Sequence, residues 1–190
     1  MVNGTMSSDL GQCRGEESCI CYLLTRAKMN RMKSYRIAIE PVDDVYTGLL
    51  AASPKLSSAG FLAVRATIDL AKRGREILGK LRAFLIRESR DSQWPGTVLL
   101  ANQAATVFRF SICPESVEIL QRSANRLYEW QQPDLPEDLG LLRADGTPWL
   151  ISITHESEAY VIAADQELQW LKGEVPGLGP LIPEDIGDLT

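Results

Sequence analysis

Apolar and polar positions change period several times along the 190-residue chain, and each change predicts an element. Tyr35, Ile37 and Ile39 alternate with Arg36, Ala38 and Glu40, the pattern of a strand closed by Pro41. Asp43 and Asp44 can then cap a short helix from Tyr46 to Ala52, ended by Ser53-Pro54. A second strand follows Gly60 through Phe61, Leu62 and Val64. Leu70, Ile77, Leu78, Leu81, Phe84 and Leu85 recur at three- and four-residue intervals, which predicts an amphipathic helix over 70–87. Trp94-Pro95-Gly96-Thr97 is a rigid turn in which Trp94 is expected to act as a lid on the core. Two short antiparallel strands are expected at 98–100 and 106–112, joined through Asn102 and Gln103. Pro114-Glu115 opens a helix in the favourable proline-first, acid-early manner, and Val117, Leu120, Ala124, Leu127 and Tyr128 carry its buried stripe to about residue 130.

The run 127–160 is the best-specified stretch, because it gathers Trp130, Trp149, three prolines and the only histidine. Pro133 and Pro136 remove amide donors and stop the helix near Gln131. Pro136-Glu137-Asp138 suits a short helical turn whose amides favour acidic side chains. Asp145-Gly146 between two apolar runs, 139–142 and 149–153, predicts a hairpin. Tyr160, Val161 and Ile162 read as another strand, and Asp165 as the start of a last helix carrying Leu168, Trp170 and Leu171. The whole reads as an α+β fold, a mainly antiparallel sheet with two principal amphipathic helices, 70–87 and 114–130, packed on it.

Composition fits one globular domain, with 45% apolar and 24% charged residues. Residues 1–33 have no sustained period and are expected to be disordered or an extension, 34–175 to form the single α+β domain, and 176–190 an irregular acidic tail. Apolar stretches fall well short of the roughly 20 residues that span a bilayer, and no signal-peptide pattern opens the chain, so a cytoplasmic location is expected. Charge is uneven. Before Pro133 there are 18 Lys and Arg against 13 Asp and Glu, and from Pro133 onward 2 against 12. Such asymmetry either steers a basic partner to the C-terminal third or pairs the two parts within one fold.

Chemistry is less legible than architecture. Cys13, Cys19 and Cys21 lack the paired spacing and fourth ligand of a structural zinc site, so no metal is expected, and no cofactor motif is present. His155 with Glu156 or Asp138 is the sharpest catalytic candidate, since a histidine titrating near neutrality can act as a general base when a carboxylate orients it. On a strand, however, Glu156 would face away from His155. A structural or surface histidine is the plainer reading. Lys72, Arg73, Arg75, Lys80, Arg82, Arg87 and Arg90 could track phosphates, but the chain is acidic overall and no aromatic stacking pattern interleaves them, so a solvated face is favoured over nucleic-acid binding.

Trp-Pro-Gly-Thr at 94–97, Leu-Pro-Glu-Asp-Leu at 135–139 and the strand Trp-Leu-Ile-Ser-Ile-Thr-His-Glu at 149–156 resemble a family of small uncharacterised bacterial proteins. Leu135-Pro136-Glu137-Asp138 followed by Gly146 is also similar to the outline of SUKH-type immunity proteins of bacterial toxin systems. That resemblance implies a toxin-neutralising binding protein rather than an enzyme. Together with the charge asymmetry, it leads to an expected protein partner with a basic surface, met by Trp130, Asp134, Glu137, Asp138 and Glu158. A small hydrolase or transferase built on His155 is the alternative.

Overall fold

A computed structural model describes residues 32–100 and 103–183. Cys13, Cys19 and Cys21, the expected extension up to residue 31, and the last seven residues of the expected tail lie outside the described residues. Among the described residues four helices pack on a seven-stranded antiparallel sheet, an α+β fold. The strands are β1 (Lys33–Arg36), β2 (Ala59–Arg65), β3 (Leu85–Asp91), β6 (Ala105–Ser111), β7 (Glu137–Leu142), β8 (Pro148–Ile153) and β9 (Glu158–Ala163), in the order β1-β9-β8-β7-β2-β6-β3. A separate two-stranded arm is made of β4 (Gln93–Trp94) and β5 (Thr97–Val98). The helices are α1 (Asp43–Leu56), α2 (Lys72–Leu81), α3 (Pro114–Ser123) and α4 (Asp165–Glu174). Among the described residues no helix is long and apolar enough to cross a membrane.

Successive strand residues face opposite sides of the sheet, and both sides are used. Leu62, Phe110, Leu141, Leu150 and Val161 join Leu49, Leu50, Ile77, Leu120 and Leu168 of the helices in the main core. Phe61, Ala63, Ala105 and Val107 form a smaller cluster on the other side, closed by Trp94. The expected lid is therefore real, and it lies over the face away from the helices.

Helix α1 runs through Pro54 instead of ending before it. Proline has no amide to donate to the carbonyl four residues earlier, which is that of Leu50. The buried Ser53 hydroxyl takes its place and donates to Leu50 O at 2.7 Å. Ser53→Ala should therefore cost about 1–3 kcal/mol, the range for orphaning a buried polar group. Urea unfolding would check it, and Ser53→Thr, which keeps the hydroxyl, should lose less.

Several expectations needed correction. The helix expected over 70–87 ends at Leu81, passes through a 3-10 turn, Arg82–Phe84, and becomes β3 from Leu85. Pairing with β6 overrides the helical stripe there, so Arg87 and Arg90 sit on an edge strand and the basic run 72–90 is not one surface. Val98 pairs only with Gln93 inside the arm, and β6 finds its partners in β2 and β3. Helix α3 stops at Ser123, because the following backbone is bonded instead by the segment entering α1: Asp43 N–H donates to Asn125 O and Leu127 N–H to Pro41 O. The folded unit also extends beyond residue 175. Leu178 and Ile182 are buried, and Ala38 N–H donates to Leu181 O at 2.8 Å.

Candidate functional site

The three sequence motifs at 94–97, 135–139 and 149–156 meet at one carboxylate. Asp138, the second residue of β7, is fully buried and adopts a left-handed φ of 59°, a conformation that aspartate and asparagine tolerate better than most residues. Its Oδ2 accepts hydrogen bonds from Trp94 Nε1 and Thr97 Oγ1, both at 2.9 Å, and its Oδ1 accepts one from the Thr154 amide at 2.8 Å. One side chain thus fixes the arm and the 3-10 turn Thr154–Glu156 to the same point of the sheet. Pro95-Gly96 makes the tip of the arm, where Gly96 has φ of 91° and lies against Ile151 and Ile153 so closely that a Cβ would collide with them. Gly140 serves a similar purpose two residues after Asp138, since a Cβ there would overlap the Phe61 ring.

Beside this clamp, Arg65 ends β2 next to Glu137, which is buried. Arg65 Nε and Glu137 Oε2 are 2.5 Å apart without hydrogen-bond alignment, so the pair is held by charge more than by a directed bond. Burial pushes the Glu137 carboxyl above its ordinary value, against the opposing attraction of Arg65 and with a further upward push from Asp138. Arg65 Nη2 also lies 3.2 Å from His155 Nδ1. The strand end itself is fixed by the buried Gln132, whose Oε1 accepts the Arg65 amide at 2.6 Å while its Nε2 donates to Ile68 O at 2.6 Å.

This geometry changes the roles expected for the candidate residues. Asp138 does not orient His155: its oxygens accept from Trp94, Thr97 and Thr154, whereas the His155 ring meets Arg65 and Glu156. His155 stands on a 3-10 turn, so the strand argument separating it from Glu156 does not apply. Its Nε2 is 3.7 Å from Glu156 Oε1, and both side chains are exposed. The lone pair on Nδ1 faces a guanidinium, which is always a donor, so that nitrogen is a poor place to accept a proton from a substrate. Pro136-Glu137-Asp138 enters β7 rather than making a helical turn.

The residues expected to meet a partner divide in the same way. Trp130 is at the centre of the core, donating from Nε1 to Tyr46 Oη at 2.9 Å, and it cannot touch a partner. Glu137 and Asp138 are buried too. Glu158 is partly buried and accepts from Arg36 at 3.0 Å and from Tyr160 Oη at 2.8 Å. Asp134 alone of this set is fully on the surface, at the rim of a cleft shared with Arg126 and Tyr128. Four bases before residue 133 pair with four acids after it: Lys33 with Asp165, Arg36 with Glu158, Lys55 with Glu174 and Arg65 with Glu137. Much of the charge asymmetry is thus joined within the fold.

Among the described residues no three His, Cys, Asp or Glu side chains cluster as a metal site would require. Sequence reasoning missed Arg65, Gln132 and Thr97. The first two are distant from their partners along the chain, and Thr97 was read only as the end of a turn. No family model, characterised protein or solved structure matches this chain.

Proposed function

We propose that the protein is a non-enzymatic, cytoplasmic protein-binding module that contacts its partner through the β4–β5 arm and the adjoining Thr154–Glu156 turn. The observation that carries this reading is the contrast between the two ends of the arm. Its tip is bonded by Trp94 and Thr97 to a fully buried carboxylate, while Val98 at its open end and Leu100 just after it are 76% and 80% exposed. A segment held so firmly has little conformational freedom left to lose on association, which makes its apolar side chains efficient contacts. The exposed His155 and Glu156 add polar contacts beside them, and Glu156 suits a basic group on the partner. The narrower form of the proposal, a toxin-neutralising immunity protein, rests on the resemblance of Leu135–Asp138 and Gly146 to the SUKH outline.

The test compares affinity capture from native lysate by the wild type and by Val98→Asp/Leu100→Asp, with circular dichroism to verify folding. Burying an aliphatic side chain at an interface is worth about 1.5–3 kcal/mol, so the double variant should retain its fold and lose at least tenfold in partner affinity. Undiminished capture of the same specific partner by the folded variant would remove the arm from the interface.

A further inference from the structure

Strand β3 lies at one edge of the sheet, and among the described residues β6 is its only strand partner. The register shifts between Leu85 and Arg87, and from Arg87 to Asp91 the ladder is unbroken. Antiparallel pairing turns the N–H and C=O of every second residue away from β6, which leaves donors and acceptors open to another strand. Charged residues usually guard such an edge against its own copy. Here their order does the reverse.

Two copies joined edge to edge about a two-fold axis present the same strand to each other, antiparallel. Opposed residues must both turn their peptide groups into the junction or both away from it. The axis therefore passes through a residue, which meets its own copy. Arg87, Glu88, Arg90 or Asp91 on the axis would oppose a like charge, which is destabilising. Ser89 carries no charge. With Ser89 on the axis, Glu88 stands opposite Arg90 of the second copy and Arg87 opposite Asp91 of the second copy, so every charge on both edges meets an opposite one.

The side chains suit this arrangement. Arg87, Glu88 and Arg90 are exposed, and neither arginine forms an ion pair among the described residues. Arg87 lies across the ladder from Arg109, a like charge, and a carboxylate arriving on its outer side offsets that contact. Glu88 has only an exposed pair with Arg82 at 3.6 Å. Asp91 accepts from Ser89 Oγ through Oδ2, which leaves Oδ1 for an arginine.

We propose that two copies of the chain associate through β3, antiparallel and centred on Ser89, so that their sheets become one. Five opposed pairs make a small interface, so the dimer is weak and concentration-dependent. This association is independent of the arm as a partner surface.

Sedimentation equilibrium of the full-length protein at low salt, up to about 1 mM, reads the dimer, with circular dichroism to verify folding. The wild type should dimerise reversibly. Glu88→Arg and Arg90→Glu each turn both Glu88–Arg90 contacts of the dimer into like-charge ones, and each should weaken self-association at least about tenfold. Mixed in equal amounts, the two variants should pair with each other, because one carries only arginine and the other only glutamate at these two positions. Glu88→Arg/Arg90→Glu, in which the charges exchange places, should dimerise like the wild type. Both positions are exposed, so the variants should keep the fold. The proposal is overturned by a wild type that stays monomeric to about 1 mM, by folded single variants that dimerise as well as it does, or by a mixture that stays monomeric.

Discussion

Asp138→Ala is expected to destabilise the protein more than any other single change at the site. It leaves the Trp94 indole N–H, the Thr97 hydroxyl and the Thr154 amide without their acceptor. Each buried orphan costs about 1–3 kcal/mol, and removing the carboxylate returns its own desolvation cost, so a net loss on the order of 4 kcal/mol is expected. That is a large share of the roughly 5–15 kcal/mol that holds a domain folded. Asp138→Asn should lose about half as much. Its amide oxygen can still accept, it tolerates the left-handed backbone, and the Thr97 hydroxyl can reverse its role and accept from the new NH₂. The Trp94 indole cannot reverse, because it is only a donor. Asp138→Gly loses every bond but relieves the backbone, so it should be about 1 kcal/mol more stable than Asp138→Ala. Urea unfolding of the three variants orders them. If alanine and asparagine prove equally mild, the carboxylate does not hold the arm.

The same clamp explains which features were legible in the sequence. The β7–β8 hairpin could be read because Asp145-Gly146 and its flanking alternation are local. Trp94 was recognisable as a lid from its size and its rigid turn, although the face it covers was not. The end of α2 was hidden, because Leu85 continues a helical stripe as well as it begins a strand, and β6 decides between them from elsewhere in the chain. Trp130, surrounded in sequence by acids and prolines, looked like a contact residue. Its hydroxyl partner, Tyr46, lies 84 residues earlier, and only the fold places the two together. Asp138 was visible as a chemically interesting carboxylate, but a catalytic role and a structural one use the same residue type. What separates them is the number of donors the fold brings to it.

Charge pairing across the fold has a functional consequence for the proposed interface. Acids already paired with bases, such as Asp165, Glu158 and Glu174, offer a partner little net field, and exposed pairs of this kind contribute only about 0–1 kcal/mol to stability. Recognition is then better supplied by apolar side chains held in place than by a broad acidic surface. Val98 and Leu100 meet that condition, while the buried Glu137 and Asp138 act from beneath by fixing the elements that present the contacts.

Arg65→Ala should produce the second large effect, and its pH dependence identifies the cause. The Arg65 side chain is 23% exposed and that of Glu137 only 4%, so the guanidinium keeps a path to water that the carboxylate lacks. Removing the arginine strands an ionised carboxylate in the interior, which costs about 3–5 kcal/mol at neutral pH. Glu137 already binds its proton more tightly in the folded state than is ordinary, through burial, and loss of Arg65 strengthens that preference. A carboxyl with a raised folded pKa favours folding as pH falls, because the native state takes up the proton first, and the gain is complete below the ordinary glutamate range. The defect of Arg65→Ala relative to wild type should therefore shrink steadily from pH 7 towards pH 4. Asp145 and Asp165, whose carboxyls are held low by Thr147 and by Lys33 respectively, destabilise both proteins alike in acid and cancel in the difference. Arg65→Ala/Glu137→Gln should be more stable at pH 7 than Arg65→Ala alone and should lose the pH-dependent part. Glu137→Gln alone should be the milder single change, since Arg65 can still reach solvent and His155. Chemical denaturation of the four proteins across this range completes the cycle, and a defect of constant size at every pH would mean that the loss comes from packing of the arginine stem rather than from an unpaired charge.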